Sequence, residues 1–197
     1  MNRCIAVNIQ DILISAGEES LRAILSSFVC PQNKEIEEFV QKNSIDFARR
    51  KLSVTYLILQ KEDCITRLLG IFTLTHKSVQ VSAEKISGTV RKKMSRYSRL
   101  DKNTGEFNVS AFLIAQFGKN YGVETVGKIT GNEMMALALE ILSRVQYEIG
   151  GGIVYLECED RKKLLDFYQN EENRFRIFSE RESDMEDIKY IQLMRII

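Results

Sequence analysis

The hydrophobic pattern between Phe107 and Tyr168 outlines one unit. FNVSAFLIAQFG is rich in β-formers and predicts a strand over Phe107–Gly118. A polar, glycine-bearing loop, Lys119–Gly131, follows. Met134, Ala138, Ile141, Val145 and Ile149 then recur every three or four residues, the core-facing stripe of a helix over Asn132–Ile149. Thr130 and Glu133 have the spacing of a capping box, so that helix should begin at about Gly131. Gly150, Gly151 and Gly152 break it. IVYLEC (Ile153–Cys158) reads as a buried strand, and Asp160–Asn170 as a second helix.

The same reading extends outward. Arg3–Ser15 is mostly apolar and fits a short strand or a helix start. Pro31 disfavours helix at Cys30, so a strand is predicted near Ala23–Val29. Asn33–Arg49 is amphipathic, with Ile36, Phe39, Val40, Ile45 and Phe47 opposite charged residues. Val54–Gln60 and Leu68–Thr75, joined by Lys61–Arg67, predict an antiparallel hairpin. Ser82 is placed to cap a helix within Ala83–Arg99 that carries Ile86, Val90, Met94 and Tyr97. Asp101–Glu106 predicts a turn. RFRIFSERE (Arg174–Glu182) and YIQLMRII (Tyr190–Ile197) alternate as two last strands around an acidic linker, Glu182–Asp187. The sum is a mixed α/β chain on one central sheet, read as a single domain over 1–197 with an N-terminal extension (1–22) and a basic insert (83–102).

Composition narrows the chemistry. Across 197 residues the net charge is +1, so no global field argues for nucleic acid or a membrane. Cys4, Cys30, Cys64 and Cys158 are scattered, with no C-x-x-C and no signal-like stretch, which fits reduced thiols in a cytoplasm. The single histidine, His76, excludes histidine-rich metal sites, and no metal is expected. No apolar run approaches the ~18 residues of a membrane span. The insert carries Lys85, Arg91, Lys92, Lys93, Arg96, Arg99 and Lys102, which fit either a polyanion surface such as RNA or a solvated helix face. Gly127 and Gly131 flank Lys128 just before a helix start, a combination that suits a pyrophosphate. An ordinary strand-to-helix loop has the same glycines, and Glu133 in the first turn opposes an anion.

The order of elements, together with FLIAQFGKN (Phe112–Asn120), GKITGNEMM (Gly127–Met135) and YLECEDRKKLLDFY (Tyr155–Tyr168), resembles the GNAT family of acyl-CoA-dependent N-acetyltransferases from about Ala23 to the C-terminus. GKITG is similar to the family's pyrophosphate turn, R/Q-x-x-G-x-G/A, with Glu124 where Arg or Gln is usual and Ile129 at the second small position. The Phe28–Cys30 opening and the helix after it resemble the branch that holds toxins of bacterial toxin–antitoxin pairs, which acetylate aminoacyl-tRNA.

The resemblance implies an open, mostly antiparallel sheet flanked by helices, splayed between the strands at Phe112–Lys119 and Ile153–Cys158. It implies acetyl-CoA as acyl donor, its pantetheine arm along Phe117, Gly118 and Lys119, with Gly118 at a bulge, and its pyrophosphate over Gly127, Lys128, Ile129, Thr130, Gly131 and Asn132. Tyr168 matches the family's general acid, although Leu164, Phe167 and Tyr168 also share a face that fits plain core packing. The base is open among Glu106, Glu157 and His76, and Cys158 reads as a core residue. The implied partners are an acceptor amine such as that of charged tRNA, an antitoxin protein and a second copy of the chain. A non-catalytic scaffold that binds coenzyme A or a macromolecule is the alternative.

Overall fold

The computed structural model describes residues 4–62, 65–182 and 188–197. Residues 63–64 of the expected hairpin loop and 183–187 of the acidic linker lie outside the described residues. The strands are β1 (Cys4–Asn8), β2 (Val54–Glu62), β3 (Ile65–Ser82), β4 (Leu100–Asp101), β5 (Glu106–Lys119), β6 (Ile153–Glu159), β7 (Arg176–Glu182) and β8 (Lys189–Ile196). They hydrogen-bond in the order β1-β2-β3-β5-β6-β8-β7, with β4 beside β5. Pairing is antiparallel wherever a register is defined except at β5–β6, so the sheet is mixed and mostly antiparallel, as expected. The chain groups into two compact units, one formed by Met1–Thr75 and Ile114–Ile141, the other by His76–Leu113 and Leu142–Ile197.

In the first unit, β1 pairs with β2 from Cys4↔Gln60 to Asn8↔Tyr56, and β2 with β3 from Val54↔Leu74 to Glu62↔Ile65. Asn8 ends β1 and caps α1 (Ile9–Ser26), its Oδ1 accepting from the Gln10 N–H at 2.8 Å. The ambiguous N-terminal run is therefore a strand followed by a helix. The strand predicted near Ala23–Val29 is instead the second half of α1. Leu21 and Leu25 lie one turn apart on the buried face, and that tertiary face outweighs the strand-like composition. Gly17, at φ 81° and ψ 170°, interrupts the helix and separates this pair from Ile9 and Ile12.

The amphipathic stretch after Pro31 begins with Asn33, whose Oδ1 accepts from the Ile36 N–H at 3.0 Å. It is not one continuous α-helix: a π-helical turn (Phe39–Asn43) joins α2 (Lys34–Glu38) to α3 (Ser44–Arg49). The turn brings Val40, Ile45 and Ala48 into one core with Phe28, Leu57 and Ile71.

In the second unit, β6 pairs with β8 from Ile153↔Ile196 to Glu159↔Tyr190, and β7 with β8 from Arg176↔Met194 to Glu182↔Lys189. β5 and β6 run parallel through Phe112↔Val154 and Leu113↔Tyr155. The helix expected from Ser82 begins later. A 3₁₀ turn (Ala83–Lys85) precedes α4 (Gly88–Met94), and Ser87 caps it by accepting from the Val90 N–H at 3.3 Å. Met94, Val79, Phe107, Val109, Ile153 and Phe178 share the second core.

α5 (Gly131–Ile149) starts where the capping box placed it. Its buried stripe is Met134, Met135, Ala138, Ile141 and Leu142; Ile149, predicted to face the core, is 75% exposed because the apolar face ends two turns earlier. No helix among the described residues is long and apolar enough to cross a membrane.

Candidate active site

The first unit holds all the residues that the sequence pattern assigned to the cofactor. The end of β5 passes very close to the helical layer. A Cβ on Gly118 would meet Ile36 Cγ2 at 2.9 Å and Phe28 Cζ at 3.2 Å, so only glycine fits beneath those side chains. This close approach is the reason for Gly118, whatever its place in the strand ladder. The ladder of β5 with β6 has its last rung at Leu113↔Tyr155, while β5 itself continues to Lys119.

Asn120, which the sequence reading passed over, ends the strand and is 1% exposed. Its Nδ2 donates to the carbonyls of Ser27 (3.1 Å) and Leu68 (2.7 Å). Its Oδ1 accepts from the N–H groups of Val29 (3.0 Å) and Gly122 (3.0 Å). Its backbone N–H donates to Leu69 O at 2.9 Å, and its carbonyl accepts from Thr125 Oγ1 at 3.0 Å. One amide thus joins the end of α1, strand β3 and the loop, with every side-chain donor and acceptor used.

Beyond Asn120 the loop turns through Gly127 at φ 79°, a conformation that glycine adopts without penalty. Ile129, one of the departures from the family pattern, is 2% exposed, main chain and side chain together, so its bulk goes into the core. Lys119 spans the loop, its Nζ donating to Ile129 O at 2.5 Å. The capping box is present in full. Glu133 Oε2 accepts from the Thr130 N–H (2.7 Å) and hydroxyl (2.7 Å), and the Glu133 N–H donates to Thr130 Oγ1 (3.2 Å). Those Thr130 donors, with a smaller contribution from Lys119, hold the Glu133 carboxyl below its ordinary range.

Among the described residues, the N–H groups of Gly127, Ile129 and Gly131 have no protein acceptor. They lie in the turn that leads into α5 and beside a lysine. Unspent donors, a helix start and a nearby cation are what an oxyanion of a diphosphate requires. The fit is opposed by the Glu133 carboxylate.

Lys128 and Glu124 are tied by ion pairs to two residues of the β2–β3 hairpin. Lys128 Nζ contacts Glu62 Oε2 at 3.2 Å, and Arg67 bridges Glu62 (2.6 Å) and Glu124 (3.2 Å). Glu124, which stands where a cation is usual, thus places the Arg67 guanidinium from β3 against the loop. Arg67 and Glu62 are far from the loop in sequence and carry no local motif, so the hairpin register had to be known before they could be found.

Tyr168 belongs to the second unit, on α6 (Lys162–Gln169), and is 7% exposed. Its ring packs edge-on against Phe167 (centroids 4.9 Å apart) and Phe175 (6.1 Å). Burial, and to a lesser degree Cys158, raises the phenol well above its ordinary pKa, so it stays protonated. Its packing against Phe167 and Phe175 fits the reading of a core aromatic.

Cys158 is buried, and its thiol is pushed up to about 11 by burial and then by Asp160 and Glu159; it has none of the features of a nucleophile. Glu157 accepts from Arg181 (2.9 Å) and Gln192 (2.7 Å), which makes it a cross-strand tie. His76 is exposed and Glu106 half-buried. Among the described residues, no group of three or more His, Cys, Asp or Glu side chains is arranged to hold a metal.

No family model matches the sequence, and a search of curated proteins finds no significant match. Solved structures do match. The AtaT toxin complexed with acetyl-methionyl-tRNAfMet covers 98% of this chain and 95% of its own, at a TM-score of 0.66 and 13% identity. A tyrosine-to-phenylalanine mutant of KacT covers 95% and 94%, at 0.63 and 13%. AtaTR bound with AcCoA covers 100% and 94%, at 0.59 and 14%. This is a GNAT fold. At such identities the likeness is one of fold, and it bears out the mixed, mostly antiparallel open sheet flanked by helices. The strands, loop and helix that carried the family resemblance in the sequence are those of the GNAT fold here.

Asn120→Ala removes four side-chain hydrogen bonds and leaves buried N–H and C=O groups unpaired. The variant is expected to lose about 2–4 kcal/mol in urea unfolding. A loss below about 0.5 kcal/mol would contradict the role given to this amide.

Proposed function

We propose that the protein transfers the acetyl group of acetyl-CoA to the amino group of an aminoacyl-tRNA. The observation that carries this reading is the loop of unspent N–H groups at Gly127 and Gly131, beside Lys119, in a chain with the fold of AtaT, which has been captured with acetyl-methionyl-tRNAfMet. The diphosphate of the donor is read as lying over Gly127–Asn132 and its pantetheine arm as running along Phe117–Lys119. Lys128 and Arg67 supply cationic charge to the same loop.

The chemistry asks little of the protein beyond placement. The lone pair of the amine attacks the thioester carbonyl, the C–N bond forms, and the C–S bond breaks with sulfur leaving as a thiolate. An α-amino group has a pKa of about 7.7–8.0, so a useful fraction is neutral at physiological pH, and its surplus proton can leave to water without a dedicated base. The thiolate needs a proton, and in this reading Tyr168 donates it. A phenol with a raised pKa is the right protonation state for that task but a reluctant donor, so its contribution depends on proximity more than on acidity.

The rival reading, a scaffold that holds coenzyme A without turnover, draws on one observation: Glu62 and Glu124 already pair with Lys128 and Arg67, which lowers the net positive charge at the loop. An antitoxin partner belongs to the first reading, since AtaT has been solved with the C-terminus of the antitoxin AtaR and acetyl-CoA.

Incubation with radiolabelled acetyl-CoA and a pool of charged or deacylated tRNA separates the two readings. Label is expected in the charged pool only, in a form released as N-acetyl-amino acid by mild base. Cofactor binding without transfer to any charged tRNA would favour the scaffold. Tyr168→Phe is expected to lower kcat by about 10²-fold while KM for acetyl-CoA stays within a factor of two or so. An unchanged kcat would remove Tyr168 from the reaction.

A further inference from the structure

The second unit contains a cleft of about 530 Å³ that the acetyl-transfer residues do not use. One wall is the basic insert, with Lys85, Ser87, Thr89 and Lys93; the other is the β7–β8 hairpin, with Arg174, Arg176 and Arg195. Ile86, Val90, Ile177, Met194 and Ile196 supply its apolar lining. Five cations thus face one concavity whose lining includes no carboxylate.

The arginines are oriented without being neutralised. Arg195 Nη1 donates to the main-chain carbonyls of Glu172 (3.1 Å) and Asn173 (2.7 Å). Arg174 Nε donates to Glu171 O (2.6 Å), and Arg176 Nη1 to Gln169 O (3.3 Å). Main-chain oxygens fix a guanidinium's direction but leave its full charge in place for an anion. Among the described residues none of the five forms an ion pair with a carboxylate; Glu180, which feels the charge of Lys85, is itself bonded to Lys189. Burial, and to a lesser degree the neighbouring charge of Arg174, pushes Arg195 below the ordinary guanidinium range.

We propose that this cleft binds the phosphodiester backbone of the RNA acceptor, with Lys85 and Lys93 gripping it from the insert and Arg174, Arg176 and Arg195 from the hairpin. The inference rests on the aminoacyl-tRNA reading above and names a contact surface for that acceptor. Five convergent cations exceed what a single phosphate needs, and a polynucleotide brings several phosphates in succession. The remaining basic residues of the insert, Arg91, Lys92, Arg96, Arg99 and Lys102, do not line the cleft, so Lys85 and Lys93 are its cleft-facing pair.

Arg174 allows a test that spares the fold. It stands at φ 55°, where glycine is more comfortable than arginine, so Arg174→Gly removes the charge and relieves the backbone. The full chain carrying Lys85→Ala, Lys93→Ala and Arg174→Gly is compared with wild type for binding of fluorescent deacylated tRNA across a salt series. The triple variant is expected to melt at or near the wild-type temperature and bind tRNA at least about ten-fold more weakly. Its slope of log K against log salt should fall by about 2. The matching variant of the solvated face, Arg91→Ala, Lys92→Ala and Arg96→Ala, should retain the wild-type slope. Unchanged tRNA binding in a folded cleft variant would overturn the proposal, as would equal competition by a mononucleotide, which would mark a small-ligand pocket. Because the RNA is deacylated and no acetyl-CoA is present, failure of acetyl transfer leaves this result intact. Conversely, transfer activity that survives the cleft changes with unaltered KM for charged tRNA counts against the cleft alone.

Discussion

Asn120 fixes where the fifth strand stops. A strand that has lost its neighbour presents bare N–H and C=O groups, and a buried end of that kind is costly unless each group is met. The Asn120 side chain meets the ends of α1 and β3 and turns the chain toward Gly122. The glycine before last on the strand, Gly118, admits Phe28 and Ile36 against the backbone at the same place. Within the first unit the loop from Asn120 to Thr130 is therefore anchored at its start by one amide and at its finish by the Thr130–Glu133 cap. Between those anchors the N–H groups of Gly127 and Gly131 have no protein acceptor.

The electrostatics of that loop are balanced rather than strongly positive. Glu62, Glu124 and Glu133 stand against Arg67, Lys119 and Lys128. Recognition of a diphosphate here would rely on directed N–H groups more than on net charge, because exposed ion pairs are weak and rearrange readily. The second unit has the opposite character. Its cleft concentrates cations, held by carbonyls, on a chain with a net charge of only +1. Local geometry, and not global composition, sets where this protein can hold an anion.

The parts of the fold that the sequence made legible were local. The capping box, the β2–β3 hairpin and the succession of strand, loop, helix and strand from Phe107 to Cys158 depend on neighbours in the chain, and they stand where the pattern put them. The misreadings were of tertiary origin. Ala23–Val29 looks like a strand because nothing local shows that Leu21 and Leu25 bury one helical face. Ile149 continues a perfect stripe past the point where there is a core to cover. Of the candidate site, the glycine turn and Lys119 were readable, whereas the Arg67–Glu62–Lys128 cluster and the Asn120 hub join distant segments. The cleft arginines are split among the segment before β7 (Arg174), β7 itself (Arg176) and β8 (Arg195), and no spacing rule unites them.

Calorimetric titration of the protein with acetyl-CoA tests most directly whether the loop between β5 and α5 holds the diphosphate of an acyl-CoA. The account predicts saturable binding of one cofactor per chain, with the heat lost when desulfo- or dephosphorylated pantetheine fragments that lack the diphosphate replace the whole molecule. Absence of heat at millimolar acetyl-CoA, or equal binding of fragments without the diphosphate, would contradict it.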